Sequence, residues 1–151
     1  MIRKAILDDV HDIHRLLALY SEKGELLARP LHKIYDHLRD FWIYEEPETR
    51  KALGCCALQF CWENLAEIRS LAVDPDATGK GVGTALAEKA IKEAVDFKVS
   101  DLFTLTYRPD FFKRFDFSII DKNDLPLKIW ADCIGCVRFP DCDEIAMLKK
   151  L

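Results

Sequence analysis

The chain has 151 residues, half of them hydrophobic, with only six glycines and six prolines. That is the size of one ordinary domain with enough apolar material for a core, and it excludes disordered and collagen-like chains. Lys and Arg number 22 against 26 Asp and Glu, and the resulting net charge of −4 matches neither nucleic acid nor an anionic membrane.

Apolar runs are short, whereas a membrane-spanning helix needs about 20 residues. Asp8 and Asp9 interrupt the start before any leader-like stretch forms. The expectation is a cytoplasmic protein without leader or membrane span, its six cysteines reduced or metal-bound.

Ile2–Leu7 reads as a short strand. Asp8 or Asp9 is placed to cap a helix with Val10, Ile13, Leu16, Leu17 and Tyr20 at helical spacing. Gly24 marks its stop. Pro30 suits the first turn of a second helix, carrying Leu31, Ile34, Leu38 and Phe41 or Trp42 on one face. Ala52–Trp62 and Leu65–Val73 read as strands, joined through Asn64 as a hairpin. In the second, Leu65, Glu67, Arg69, Leu71 and Val73 alternate with Ala66, Ile68, Ser70 and Ala72. Pro75 ends it. A glycine loop then leads into a helix with Val82, Leu86, Ala90, Ala94 and Val95 down one side. Leu102–Tyr107 reads as a strand, Pro109–Phe115 as a short helix, and Glu144–Leu148 as a last strand. This order, β-α-α-β-β-α-β-α followed by β-like material, predicts an α/β fold: a mixed sheet flanked by helices.

The glycine loop runs Thr78-Gly79-Lys80-Gly81-Val82-Gly83-Thr84. Glycines let a backbone pass close to a ligand, and loop amides with a helix N-terminus converge on negative charge such as pyrophosphate. A tight strand–helix turn would need the same glycines. A phosphate-binding Walker loop ends in Gly-Lys-Ser/Thr, and a dinucleotide fingerprint reads Gly-x-Gly-x-x-Gly. Neither pattern is present.

The loop resembles that of the GCN5-related N-acetyltransferases, Arg/Gln-x-x-Gly-x-Gly/Ala, with Thr78 in the first position. Ile2–Tyr20 looks like that family's opening strand and helix. Phe111-Phe-Lys-Arg-Phe-Asp-Phe117 looks like its Phe-Tyr-Glu-Lys-Leu-Gly-Phe element. Further stretches resemble the stand-alone bacterial N-acetylglutamate synthases: Leu26-Leu-Ala-Arg29-Pro, His37-Leu-Arg-Asp-Phe41, Glu67–Val73, Leu102–Tyr107, and Trp130-x-Asp-Cys133-x-x-Cys136-x-x-Phe-Pro-x-Cys142-Asp-Glu144. The resemblance implies one acetyltransferase domain over residues 1–151, with a mixed, mostly antiparallel sheet. It implies acetyl-CoA as co-substrate and L-glutamate as the small-molecule amine. Other amines, namely another amino acid, a polyamine or a protein N-terminus, and a catalytically silent acetyl-CoA-binding module are the rival readings. It also allows a homodimer.

The site residues follow from the same resemblance. Glu67 stands as the base that takes the amine proton, and the Leu71 amide as donor to the developing oxyanion. Leu71, Ala72 and Val73 would hold the pantetheine arm, and Thr78, Gly79, Lys80, Gly81, Val82, Gly83 and Thr84 the pyrophosphate. Phe112 stands where a tyrosine is common and cannot give a proton. Tyr107 is the substitute acid, with a plain core-edge tyrosine as the other reading. Glutamate's carboxylates call for arginines: Arg29 first, Arg69 second, Arg108 third.

Cys133, Cys136 and Cys142 form C-x2-C-x5-C, one short of the four ligands of a structural zinc unless Asp132, Asp141 or Asp143 joins them. Thiols in a compact turn are the alternative, and no metal is assigned. Cys55, Cys56 and Cys61 read as small core residues, and His11, His14, His32 and His37 as surface or boundary residues.

Overall fold

A computed structural model describes residues 1–24, 29–125 and 144–151. The three-cysteine motif lies outside the described residues, as do its neighbouring aspartates and the Leu26-Leu-Ala stretch.

The strands are β1 (Ile2–Lys4), β2 (Phe41–Glu45), β3 (Ala52–Trp62), β4 (Leu65–Val73), β5 (Asp101–Thr106), β6 (Ser118–Ile120) and β7 (Ile145–Lys150). They form one sheet of seven strands, ordered β1-β2-β3-β4-β5-β7-β6. Every pairing is antiparallel except β4 with β5. That parallel pair is what a strand–loop–helix–strand unit requires, because a crossover helix returns the chain to the same end. The crossover is α3 (Val82–Asp96). The other helices are α1 (Val10–Ser21), α2 (Leu31–Asp36) and α4 (Pro109–Lys113).

Two layers of side chains cover the sheet. On one face Val10, Ile13, Leu16 and Leu17 of α1 and Ile34 of α2 pack on Phe41, Ile43, Cys55, Ala57 and Ala72. On the other, Val82, Leu86, Ala90 and Ala94 of α3 pack on Cys56, Leu58, Ala66 and Ile68. Both helices show the 3–4 spacing read from the sequence. Burying each large aliphatic side chain stabilises by roughly 1.5–3 kcal/mol, so these two faces carry most of the fold. Cys55, Cys56 and Cys61 are buried as expected. Burial pushes the Cys55 thiol up to about 12 and raises that of Cys56, so neither is a thiolate at neutral pH.

Four expectations need correction. Phe41-Trp-Ile-Tyr-Glu45 is a strand, not the end of a second helix, which stops at Asp36. Its alternation of buried and half-buried residues pairs it between β1 and β3. Leu31 and Val95 are 37% and 53% exposed, so neither belongs to its helix's buried stripe. Asp9 does not cap α1. Its carboxylate turns back to accept from the Ile6 amide (2.7 Å) and from Arg3 (2.7 and 2.9 Å). Finally, β4 does not keep one alternation along its length. Cys55 and Ala57 of β3 face Ala72 and Arg69, so β4 carries one extra residue there. Ser70 has φ 57°, a left-handed conformation uncommon outside glycine. This is a β-bulge, and it turns the following side chains to the opposite face.

Candidate active site

The bulge divides β4 into two functional stretches. Before it, Glu67 and Arg69 lie on the α1/α2 face, opposite Gln59 and Ala57 of β3. After it, Leu71 and Val73 pack toward the α3 face, while Ala72 enters the α1/α2 core. The parallel pairing of β4 with β5 ends at Glu67 and Phe103. Beyond that point the strands part, bridged by the Thr104 hydroxyl, which donates to the Ile68 carbonyl at 2.8 Å.

The space between them is a cavity of about 730 Å³, within the roughly 300–1,000 Å³ usual for small-molecule sites. Its wall includes Leu71 and Val73 on β4, Thr104 to Tyr107 on and after β5, the glycine loop, and Phe111 and Phe112 on α4. Of the residues expected to hold cofactor, Leu71, Val73, Thr78, Gly79, Gly81, Val82, Gly83 and Thr84 line it. Ala72 lies in the core instead. Lys80 is not part of the lining and acts on the Glu46 carboxylate, which Thr49 holds down first and Lys80 last.

The loop takes its path from two residues. Gly79 and Gly81 have φ 80° and 78°, a region that costs an L side chain roughly 1–2 kcal/mol. Gly81 immediately precedes α3, and its carbonyl accepts from Ala85. The free amides of the first turn of α3 therefore open at the cavity wall, where the helix dipole favours an anion.

On the α1/α2 side the polar groups are gathered. Glu67 is 8% exposed and lies 3.9 Å from the Arg69 guanidinium, which donates to Gln59 Oε1 at 2.9 Å. Arg29, also 8% exposed, sits 5.4 Å above the Phe41 ring and donates to Ser70 Oγ at 3.4 Å. Burial, then repulsion from Arg69, pushes Arg29 down to about 10, against attraction to Asp40 and Glu67. Burial raises the Asp40 carboxyl, opposed by His37 at 3.4 Å. The result is two arginines close enough to repel, beside one buried glutamate. Glu67 and Asp40 offset the two positive charges, and each guanidinium keeps donors for a further acceptor.

Tyr107 and Arg108 also line the cavity, just after β5. Phe112 is 5% exposed and packs edge-on against Phe111 and Phe117. Sequence reasoning missed Tyr20, Lys23, Ser70, Thr104 and Arg114 as wall residues. Only Ser70, a small polar residue in an apolar strand, left a visible signal. Tyr20 reaches the wall because its hydroxyl donates to the Val73 carbonyl at 2.6 Å.

Residues 7–117 match the model of the acetyltransferase (GNAT) family. The chain belongs to that family. It is 41% identical to an uncharacterized N-acetyltransferase of Chlorobaculum tepidum, over 99% of this chain and 96% of that one. It is 33% identical to an amino-acid acetyltransferase of Mycobacterium tuberculosis, over 96% and 86%. N-acetylglutamate synthase from Neisseria gonorrhoeae, solved with coenzyme A and N-acetyl-glutamate, superposes with a TM-score of 0.89 at 28% identity. All of this chain matches 35% of that longer one. The chain is thus an N-acetyltransferase with the GNAT fold.

Proposed function

We propose that the protein transfers the acetyl group of acetyl-CoA to L-glutamate, giving N-acetyl-L-glutamate and CoA, the first step of arginine biosynthesis. The observation that carries this reading is the buried Arg29 beside Arg69 and Glu67, with Arg69 itself on the cavity wall. A dicarboxylate amino acid satisfies both arginines and presents its amine to the glutamate. The name of the amino-acid acetyltransferase relative supports an amino-acid acceptor, and that of the gonococcal N-acetylglutamate synthase supports glutamate.

In this reading the gap between β4 and β5 takes the pantetheine arm along Leu71 to Val73. The glycine loop from Thr78 to Thr84, with the N-terminus of α3, takes the pyrophosphate. Arg29 and Arg69 hold the two carboxylates of glutamate. Glu67 accepts a proton from the ammonium group, directly or through one water, and frees the nitrogen lone pair. That nitrogen bonds to the thioester carbon, and the Leu71 amide donates to the oxygen as charge builds there. The nitrogen gives up its second proton as the carbon–sulfur bond breaks, Tyr107 protonates the leaving sulfur, and the released proton restores the Tyr107 hydroxyl through solvent water. No covalent enzyme intermediate forms. A homodimer in the cytoplasm is the matching assembly.

The test is release of CoA thiol from acetyl-CoA by purified protein, with L-glutamate compared against glutamine, aspartate, ornithine and spermidine. Saturable release selective for glutamate, and lost in Glu67→Gln, is the expected result. Equal or faster release with spermidine or ornithine would replace the substrate while keeping the enzyme class.

A further inference from the structure

The phosphate end of the cavity carries a cation that does not come from the glycine loop. Among the loop side chains, the Thr78 hydroxyl is turned inward to the Pro75 carbonyl at 2.9 Å. Lys80 is not part of the wall. Gly79, Gly81 and Gly83 offer backbone alone. Lys23, Arg69 and Arg108 also line the cavity, but the cation bonded to the start of α3 is Arg114, the residue that follows α4.

Arg114 is held in place by three contacts. Its Nη2 donates to Thr84 Oγ1, in the first turn of α3, at 3.0 Å. Its guanidinium lies 5.6 Å from the Phe111 ring and 5.7 Å from the Phe115 ring. Those rings meet edge-to-face at 5.3 Å and form a platform of the kind guanidinium groups favour. Among the described residues no carboxylate pairs with Arg114. A guanidinium has five N–H donors, and Thr84 engages one nitrogen. The side chain is therefore a positioned cation with donors to spare, attached to the turn where the α3 amides open.

We propose that Arg114 binds the pyrophosphate of the acetyl donor, closing over it from α4 while the glycine loop and the α3 amides hold it from below. This assignment rests on the acetyl-CoA reading above. It makes Thr84 a positioning residue that aims Arg114, and it gives the Phe111–Phe115 pair a purpose besides packing.

The experiment compares Arg114→Gln and Arg114→Lys with the wild type, using acetyl-CoA, acetyl-3′-dephospho-CoA and S-acetyl-pantetheine as donors. S-acetyl-pantetheine keeps the reacting thioester but has no phosphate. In R114Q, kcat/KM for acetyl-CoA is expected to fall about tenfold or more, the usual effect of losing a charged hydrogen bond. The fall should appear in KM, persist with the dephospho donor, be much smaller with S-acetyl-pantetheine, and be partly restored in R114K. Equal losses with all three donors would overturn the proposal, since Arg114 would then only brace the fold. A loss that vanishes with the dephospho donor would also overturn it, by moving the contact to the 3′-phosphate. An unchanged R114Q removes the assignment alone. A wild type that turns over no donor removes the acetyl-CoA reading with it.

Discussion

The two halves of β4 share β3 as a neighbour, but only the first pairs with β5, and they have opposite characters. From Leu65 to Arg69 the strand pairs with β3, in unbroken register from Ala66 to Arg69, and Glu67 and Arg69 on the α1/α2 face are charged. From Leu71 to Val73 it has lost β5, and Leu71 and Val73 line a cavity with apolar surface. One residue separates them. Ser70, at φ 57°, accepts from Arg29 through its hydroxyl and from the Cys55 thiol through its carbonyl. The comparison teaches that a single inserted residue lets one strand bring charged and apolar side chains from opposite faces to one cavity, whose wall holds Arg69 and Ser70 as well as Leu71 and Val73. Without the bulge, Glu67 and Leu71 would point the same way.

The largest effect should come from breaking the chemical half alone. Glu67→Gln is expected to lower kcat by 10²-fold or more, the range typical of a lost general base. Acetyl-CoA binding measured by calorimetry should change little, and a parallel loss of binding would show that Glu67 also holds the donor. Arg29→Ala should come next. It is expected to reduce kcat/KM for glutamate by roughly 10–100-fold, in line with a hydrogen bond to a charged group, while KM for acetyl-CoA stays within a fewfold.

The joint itself is the third target. Ser70→Val places a β-branched residue at a positive φ, and a cost of about 1–3 kcal/mol is expected, read as a lowered denaturant midpoint. Ser70→Gly keeps the conformation and removes the short CH2OH side chain, so it should fold at least as well as the wild type. If both variants behave alike, the bulge does not depend on Ser70. On the cofactor half, Gly81→Ala should cost about 1–2 kcal/mol for its φ of 78°, or a few degrees in Tm. It should also weaken acetyl-CoA more than glutamate.

The smallest effect lies outside the comparison and sharpens it by contrast. Burial pushes the Asp9 carboxyl up, but hydrogen bonds from Arg3 and the Ile6 amide outweigh that and hold it below its ordinary value. A carboxylate lowered in the fold adds stability that is complete above its unfolded pKa and is lost as pH falls through the folded value. Asp9→Asn should therefore destabilise at neutral pH and make little difference in strong acid, by urea denaturation at both. Activity per folded molecule should not change.

Much of this architecture was legible in the residues. β3 and β4 match their expected bounds, because alternation and a two-residue turn around Asn64 define a hairpin locally. The glycine loop was legible because few backbones need two left-handed residues so close together. β2 was hidden, since Phe41-Trp-Ile-Tyr follows a helical pattern closely enough to continue it on paper. Only pairing with β1 and β3 makes it a strand. The bulge was hidden for a similar reason: Leu71 and Val73 keep the two-residue rhythm in sequence while the backbone resets it in space. Tyr20 and Arg114 were hidden because they reach the cavity from other elements. No local pattern records a contact such as Tyr20 to Val73, 53 positions apart.

The short parallel pairing has a thermodynamic consequence. Three residue pairs, Leu65 to Glu67 against Asp101 to Phe103, join the four-stranded block β1–β4 to the three-stranded block β5–β7–β6. A molecule lodged in the gap touches both blocks and binds only while they stand together. By linkage it must then resist their separation, adding about 2.7 kcal/mol at a free concentration one hundred times its Kd. The seam that admits a ligand is thus also the place where that ligand supplies the cohesion the missing ladder leaves out.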